Sequence, residues 1–105
     1  MADHIMKTLF KTLNERKSFD KKKSYTAQLL NNPNLLAKKI GEESTELIID
    51  LVKNNKTGII NESADLLYHL LVSWVSLGID PEEIWDELSK RTLKSGVEEK
   101  QSRKK

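Results

Sequence analysis

The chain has 105 residues, a formal net charge of +2 at pH 7 and no cysteine. This length favours one domain with a modest core, and a charge so close to neutral argues against nucleic acid as a partner. The lack of cysteine excludes disulfides and thiolate metal sites, and no segment is apolar enough for a signal peptide or a membrane span, so we expect a cytoplasmic protein.

The first third of the chain predicts one amphipathic helix and one short helical piece. Apolar side chains at i, i+4 and i+8 predict the first helix over residues 5–16. A basic loop containing Lys21 to Lys23 follows, and its role stays open. The stretch "SYTAQLL" at 24–30 then leads into a short helix that Asn-Asn-Pro ends.

The remainder of the chain predicts three longer helices. Apolar periodicity predicts one helix over residues 34–52, and the most apolar part of the sequence predicts a central, largely buried helix over 59–77. Asp80-Pro81 followed by two glutamates is typical of a helix start, because it offers a capping side chain, a proline in the first turn and a glutamate three residues after the cap. This last helix is expected to end by residue 93.

No stretch alternates in the manner of a strand, so the predicted fold class is all-α, a helical bundle of four to five helices. We expect one folded domain over residues 1–93 and a charged, flexible tail over 94–105. A chain this short with so apolar a central helix is expected to bury that helix against a second copy. The predicted assembly is therefore a homodimer.

The stretch "KKIGEESTE" at 38–46 places several carboxylates on one helix. At about 100° per residue, Glu42, Glu46 and Asp50 fall within an arc of roughly 80°, and Glu43 lies at the border of the apolar face. Surface helices commonly show such an arc. Alone, this pattern is more typical of a solvated face than of a site.

A second acidic cluster lies on the central helix. Glu62, Asp65 and His69 share a strip of roughly 80°, and apolar residues occupy the opposite side. Because this helix is expected to be covered on most of its circumference, two acids one turn apart need a compensating cation. A lysine or arginine could supply it in a purely structural network, and a divalent metal is the sharper interpretation.

Oxygen ligands without histidine or cysteine favour hard ions, so Mg²⁺ is expected first and Mn²⁺ as its substitute. Several carboxylates around a partly hydrated Mg²⁺ are typical of phosphate chemistry. Lys38 and Lys39, one turn before the first cluster, could meet the remaining phosphate charge. The four glycines are scattered, so a phosphate-cradling Walker loop is excluded.

The pattern Glu-Glu-x-x-Glu, fifteen residues, then Glu-x-x-Asp resembles the signature of the MazG-like all-α nucleoside triphosphate pyrophosphohydrolases. Three segments, "SYTAQLL", "KKIGEESTEL" and "ESADLLYHLLV", are similar to those of the phosphoribosyl-ATP pyrophosphatase family of histidine biosynthesis. This resemblance covers roughly residues 5–92. It implies hydrolysis of phosphoribosyl-ATP to phosphoribosyl-AMP and pyrophosphate with Mg²⁺, in a homodimer.

The resemblance also implies roles for the carboxylates. Glu43, Glu46, Glu62 and Asp65 would bind the metal, and Glu42 would be a flanking carboxylate with a ligand or base role. The expected catalytic carboxylates are thus the three glutamates of "GEESTE", and which of them is the general base stays open.

Several other residues have two possible roles. His69 could contact substrate phosphate or be a satisfied buried histidine. Ser24, Tyr25 and Thr26 could form only a helix start, or could bind substrate through hydroxyl donors and a ring for the adenine. Tyr68 is expected in the core or a subunit interface.

Two alternative functions remain at this point. The first is a MazG-type house-cleaning enzyme acting on other nucleoside triphosphates, since the carboxylates recognise metal and phosphate and leave the base unread. The second is a non-catalytic helical interaction module whose acidic strip is structural.

Overall fold

The computed structural model describes residues 2–18 and 24–92, and within these residues it contains five α-helices and no strand. In chain order the helices are α1 (Ala2–Glu15), α2 (Tyr25–Leu30), α3 (Pro33–Val52), α4 (Lys56–Leu77) and α5 (Pro81–Thr92). A single 3-10 turn, Arg16–Ser18, continues α1. The predicted all-α class is confirmed.

Asparagine side chains determine where the two long helices begin. The side chain of Asn32 accepts a hydrogen bond from the backbone N–H of Leu35 at 3.1 Å, which satisfies a free donor in the first turn of α3. Asn55 accepts one from the N–H of Gly58 at 3.2 Å. Because of this cap, α4 begins at Lys56 rather than at the predicted residue 59.

The connection between α4 and α5 has the predicted capping chemistry. Gly78 ends α4 in the left-handed region with φ 69°, a conformation that glycine adopts without steric cost. The backbone N–H of Asp80 donates to Glu83 Oε2 at 2.9 Å, and the N–H of Glu82 donates to Asp80 Oδ1 at 2.9 Å. The two acidic side chains therefore start α5 in a capping box.

One hydrophobic core fixes α1 to α4 relative to one another. α3 and α4 pack along each other as a helical hairpin, and α1 and α2 lie against α4. The buried apolar side chains of this core are Leu13, Leu29, Leu36, Leu71, Val72 and Val75. Each contributes about 1.5–3 kcal/mol by leaving water. Trp85 attaches α5 through an edge-to-face contact with Trp74, with ring centroids 6.2 Å apart.

The first half of α4 is less covered than the sequence predicted. The buried residues of this helix, His69, Leu71, Val72 and Val75, all lie in its second half. In the first half Ile60 is 69% exposed, and Leu67 at the middle of the helix is 46% exposed. The expectation of a helix covered on most of its circumference is therefore wrong for the isolated chain, because these apolar side chains remain exposed to solvent.

None of the helices in the described part of the chain is long and apolar enough to cross a membrane. The basic stretch Lys21 to Lys23 and the predicted tail, residues 94–105, lie outside the described residues. The predicted domain boundary after residue 93 stays a prediction.

Candidate active site

The helical hairpin brings the two predicted acidic clusters together. Glu43 on α3 meets Glu62 and Asp65 on α4, and one oxygen from each carboxylate lies within 4.8 Å of the others. Glu62 and Asp65 point the same way because residues three apart share one face of a helix. These three residues are called the acidic cluster below.

The acidic cluster contains carboxylate oxygens that the chain leaves unsatisfied. Glu43 and Glu62 are half-buried and Asp65 is exposed. Glu43 Oε2 and Glu62 Oε2 are both buried without a hydrogen-bond partner among the described residues. A buried charged oxygen without a partner is unfavourable, so such a pair marks a place where a positive charge or a proton is stabilised.

Glu62 has the most perturbed acidity in the described part of the chain. Hydrogen bonding with Glu43 and then with Glu46, followed by burial, raises the pKa of Glu62 to about 8. Two carboxyl groups can share a hydrogen bond only if one is protonated, so the cation-free cluster retains a proton near neutral pH. A divalent ion could replace that proton, and a donor set made only of oxygens fits a hard ion.

Glu46 and Glu42 lie beside the acidic cluster in different ways. The carboxyl of Glu46 reaches that of Glu62, although Glu46 is exposed. Glu42 is exposed and forms an ion pair with Lys39 at 3.6 Å. Both glutamates also line an open surface cleft of about 520 Å³ together with Lys38. The structure thus brings the predicted carboxylates and lysines to one side of α3, with Glu43 turned inward.

The predicted Ser24-Tyr25-Thr26 triplet uses its hydroxyl groups inside the chain. Ser24 caps α2 by accepting a hydrogen bond from the N–H of Ala27 at 3.2 Å, and it is buried. The hydroxyl of Thr26, which is 2% exposed, lies 2.6 Å from the hydroxyl of Tyr68 on α4. The Tyr25 hydroxyl lies 3.1 Å from His69 Nε2.

His69 connects the triplet to the acidic cluster. Its Nδ1 lies 2.8 Å from the backbone carbonyl oxygen of Asp65, and the residue is 5% exposed. Of the two roles that the sequence left open, this geometry favours a satisfied buried histidine, since both ring nitrogens have partners within the chain.

Tyr25 shares the electrostatic environment of the acidic cluster. Partial burial raises the pKa of the Tyr25 phenol, Lys39 opposes this increase, and Tyr68, Glu43 and Glu42 add to it. The Tyr25 side of α2 therefore faces both the lysine and the carboxylates of α3. The residue is still 45% exposed, so the ring is accessible from solvent.

Sequence reasoning did not predict a role for Tyr68 next to the site. Its ring stacks on that of Tyr25, with centroids 6.4 Å apart and an interplanar angle of 13°. It also packs against the core, as expected. Tyr68 lies on the other side of the central helix from the acidic strip, and the docking of α2 onto α4 brings it beside Tyr25. The one available signal was its position next to His69.

The sequence matches known proteins along most of its length. A family model described as phosphoribosyl-ATP pyrophosphohydrolase matches residues 6–92. The chain belongs to the phosphoribosyl-ATP pyrophosphohydrolase family. It is 41% identical over 101 residues to a phosphoribosyl-ATP pyrophosphatase of Azospirillum brasilense, covering 95% of this chain and 91% of the relative.

Two further relatives of this family show similar agreement. The phosphoribosyl-ATP pyrophosphatase of Paramagnetospirillum magneticum is 42% identical over 102 residues, 96% of this chain and 94% of its own. A phosphoribosyl-ATP pyrophosphatase 1 of Rhodopseudomonas palustris is 42% identical over 105 residues, 99% and 98% of the two chains. The predicted activity, a phosphoribosyl-ATP pyrophosphohydrolase of histidine biosynthesis, is confirmed, and the chain is an enzyme.

Proposed function

We propose that the chain hydrolyses phosphoribosyl-ATP to phosphoribosyl-AMP and pyrophosphate at the acidic cluster of Glu43, Glu62 and Asp65. The observation that carries this proposal is the pair of buried carboxylate oxygens without partners, which lie beside a third carboxylate. A structural salt-bridge network would instead place a lysine or arginine against these oxygens, and none of the described residues does so.

The acidic cluster would hold Mg²⁺, with Mn²⁺ as a substitute, and Glu46 would complete the ligand set predicted from the sequence. Four carboxylates are a suitable donor set for a hard ion that keeps some of its water. When bound, the ion would supply positive charge against the phosphate oxygens and lower the pKa of a water molecule.

The reaction also requires a group of the chain that accepts a proton. Hydrolysis forms a bond between water oxygen and phosphorus, breaks the bond from phosphorus to the bridging oxygen, and releases a proton from the water. Glu42 and Glu46 are the two exposed carboxylates beside the acidic cluster that can take up this proton, and the base is one of them.

Substrate binding is assigned to the side chains that face outward beside the acidic cluster. Lys38 and Lys39 would neutralise phosphate oxygens, and the exposed ring of Tyr25 would contact the adenine. The hydroxyl groups of Ser24 and Thr26 are engaged within the chain, so we assign these residues to the docking of α2.

The functional unit would be a homodimer in the cytoplasm. Large apolar side chains on α3 and α4 are left exposed by this single chain, and they are Ile48, Ile49, Leu51, Val52, Ile60, Leu67 and Leu77. Several exposed large apolar side chains on two packed helices are typical of a contact between subunits. Sedimentation or light scattering tests the dimer, and cell fractionation tests the location.

A pyrophosphate-release assay with Mg²⁺ tests the proposed function. Phosphoribosyl-ATP is offered beside ATP, dUTP and dCTP, and we expect a strong preference for the first. Equal turnover of an ordinary triphosphate would indicate a house-cleaning enzyme instead. The double variant Glu62→Gln/Asp65→Asn should be folded and inactive; an equally active variant would exclude the acidic cluster as the site.

A further inference from the structure

His69 has one hydrogen-bond arrangement that follows from the chemistry of its partners. The carbonyl oxygen of Asp65 can only accept a hydrogen bond, so the Nδ1 atom at 2.8 Å must carry the hydrogen. In the neutral ring this leaves Nε2 as an acceptor. The Tyr25 hydroxyl at 3.1 Å therefore donates its hydrogen to Nε2.

This chain of hydrogen bonds links α2 to the helix that carries Glu62 and Asp65. α2 has only six residues and cannot hold its own orientation, because an isolated helix of that length is unstable in water. Its direction therefore depends on contacts with α4. The hydroxyl of Tyr25 is used in this contact, whereas the residue as a whole remains 45% exposed.

We propose that His69 is a positioning residue that fixes the ring of Tyr25 beside the acidic cluster, and that Tyr25 meets the substrate with its ring and not with its hydroxyl. This inference rests on the proposed function, because it assumes that substrate binds between α2 and α3. Its physical basis is the tautomer of His69, which leaves the Tyr25 hydroxyl hydrogen directed into the protein.

The shape of the site supports a ring contact. One face of the Tyr25 ring is turned to Tyr68, at a centroid distance of 6.4 Å, and His69 lies at right angles to it with an interplanar angle of 85°. Flat aromatic faces bind the flat faces of other aromatic groups, so the chemical class recognised here is the base of a nucleotide. Lys39 and the acidic cluster would then lie beside the phosphates of the same nucleotide.

Steady-state kinetics with phosphoribosyl-ATP and Mg²⁺ test whether His69 acts through Tyr25. Tyr25→Phe and His69→Asn should each raise KM about fivefold with kcat nearly unchanged, the size expected for one lost hydrogen bond. The double variant should also raise KM about fivefold, and not by the product of the two single effects, because both substitutions break the same hydrogen bond. His69→Gln places an amide oxygen near the Nε2 position and should restore KM to within about twofold of the wild type.

A second set of variants separates the ring from the hydroxyl. Tyr25→Leu should raise KM at least about tenfold more than Tyr25→Phe, because it removes the aromatic face. Tyr68→Phe is the matched control, since it removes a tyrosine hydroxyl that also joins α2 to α4, through Thr26, and it keeps the ring that packs against His69. It should lower Tm and leave KM within about twofold.

A spectroscopic measurement tests the tautomer without any substrate. The chain has 2 histidines, so long-range ¹H–¹⁵N correlation spectra of the wild type and His69→Gln assign the ring of His69. We expect the Nδ1–H tautomer, and Tyr25→Phe should shift the Nε2 resonance. An Nε2–H tautomer would overturn the inference.

The kinetic outcomes distinguish this inference from the proposed function. Multiplicative effects of Tyr25→Phe and His69→Asn, or a Tyr25→Phe enzyme as poor as Tyr25→Leu, would overturn the positioning role while wild-type turnover persists. Absence of phosphoribosyl-ATP hydrolysis by the wild type would remove the proposed function and this inference with it.

Discussion

Glu43 on α3 and Glu62 on α4 each bury one carboxylate oxygen that has no hydrogen-bond partner among the described residues. Both belong to a group of three carboxylates whose oxygens lie within 4.8 Å of one another. Because unpartnered charged oxygens and like charges at short range are unfavourable, this pair lowers the stability of the cation-free chain. The same pair should raise the affinity of the chain for a divalent ion.

Glu62→Gln should separate the stability of the chain from its activity. The amide keeps the shape of the side chain and cannot ionise, so at a pH above about 8, where Glu62 has lost its proton, Tm in EDTA should be higher than that of the wild type. Activity should fall by at least about 100-fold, because a ligand of the proposed ion is lost. Thermal unfolding with and without Mg²⁺, together with the pyrophosphate assay, measures both effects.

Asp86→Asn is the matched control for Glu62→Gln, because it removes one exposed acidic charge on α5 away from the acidic cluster. It should retain wild-type activity and the wild-type increase in Tm on adding Mg²⁺. If Glu62→Gln also shows this increase, Glu62 is not a ligand.

The stability of the cation-free chain should decrease as the pH rises. The pKa of Glu62 is raised from 4.5 to about 8 in the folded state, so the folded chain binds a proton that the unfolded chain has released. The stabilisation from this proton is fully present below pH 4.5, and it is lost as the pH rises through about 8. Tm in EDTA should therefore fall between these pH values, and less so in Glu62→Gln.

Adding Mg²⁺ should weaken this pH dependence, because the ion replaces the proton on Glu62. Calorimetric titration below about pH 8 in buffers of different ionisation enthalpy should detect the released proton. If the Tm of the wild type in EDTA rises with pH relative to that of Glu62→Gln, the raised pKa assigned to Glu62 is contradicted.

Glu46→Gln and Glu42→Gln should have different effects on the requirement for Mg²⁺. The carboxyl of Glu46 reaches Glu62, whereas Glu42 pairs with Lys39 at 3.6 Å on the exposed side. Glu46→Gln should raise the Mg²⁺ concentration for half-maximal activity by about 10-fold or more. Glu42→Gln should change it by less than about threefold, since exposed ion pairs contribute little. At saturating Mg²⁺, the variant with the lower kcat identifies the general base. If Glu42→Gln raises the Mg²⁺ requirement more than Glu46→Gln does, Glu42 is the metal ligand and Glu46 is not.

Leu67→Glu should disrupt the proposed homodimer and abolish activity. Leu67 is 46% exposed on the apolar surface of α3 and α4, and a buried carboxylate in a subunit contact would be strongly unfavourable. Leu88→Glu is the matched control, because Leu88 is 50% exposed but lies on α5. Light scattering gives the mass, and an active monomer would exclude a required dimer.

Gly78→Ala and Gly41→Ala should change stability in opposite directions. Gly78 has φ 69°, so a side chain there should cost about 1 kcal/mol and lower Tm by several degrees. Gly41 lies within α3 and an added Cβ would meet nothing within 4 Å, so alanine should stabilise the chain by about 0.5–1 kcal/mol. Urea unfolding measures the free energy of unfolding of both variants. If both substitutions change it in the same direction, the assignment of Gly78 as the C-terminal cap of α4 is contradicted.

Much of the candidate site could be predicted from the sequence. The helical period alone placed Glu62 and Asp65 on one face, and the Glu-Glu-x-x-Glu stretch located the partner helix. The same period placed Glu43 at the border of the apolar face and Glu42 and Glu46 on the polar side, but it could not decide how α3 is rotated against α4. The rotation of α3 against α4 selects Glu43, and that rotation depends on side chains packed between the two helices.

The sequence by itself determined the all-α class, the start of α5 with its cap, the carboxylates and the family. Helix formation and capping depend on residues that are close together in the sequence, so local patterns are enough to predict them. Only the tertiary structure decided that His69 faces Tyr25, that Tyr68 meets Thr26, and that the first half of α4 is only partly covered. Such contacts join residues more than forty positions apart, and their geometry follows from the packing of the whole core rather than from any local pattern.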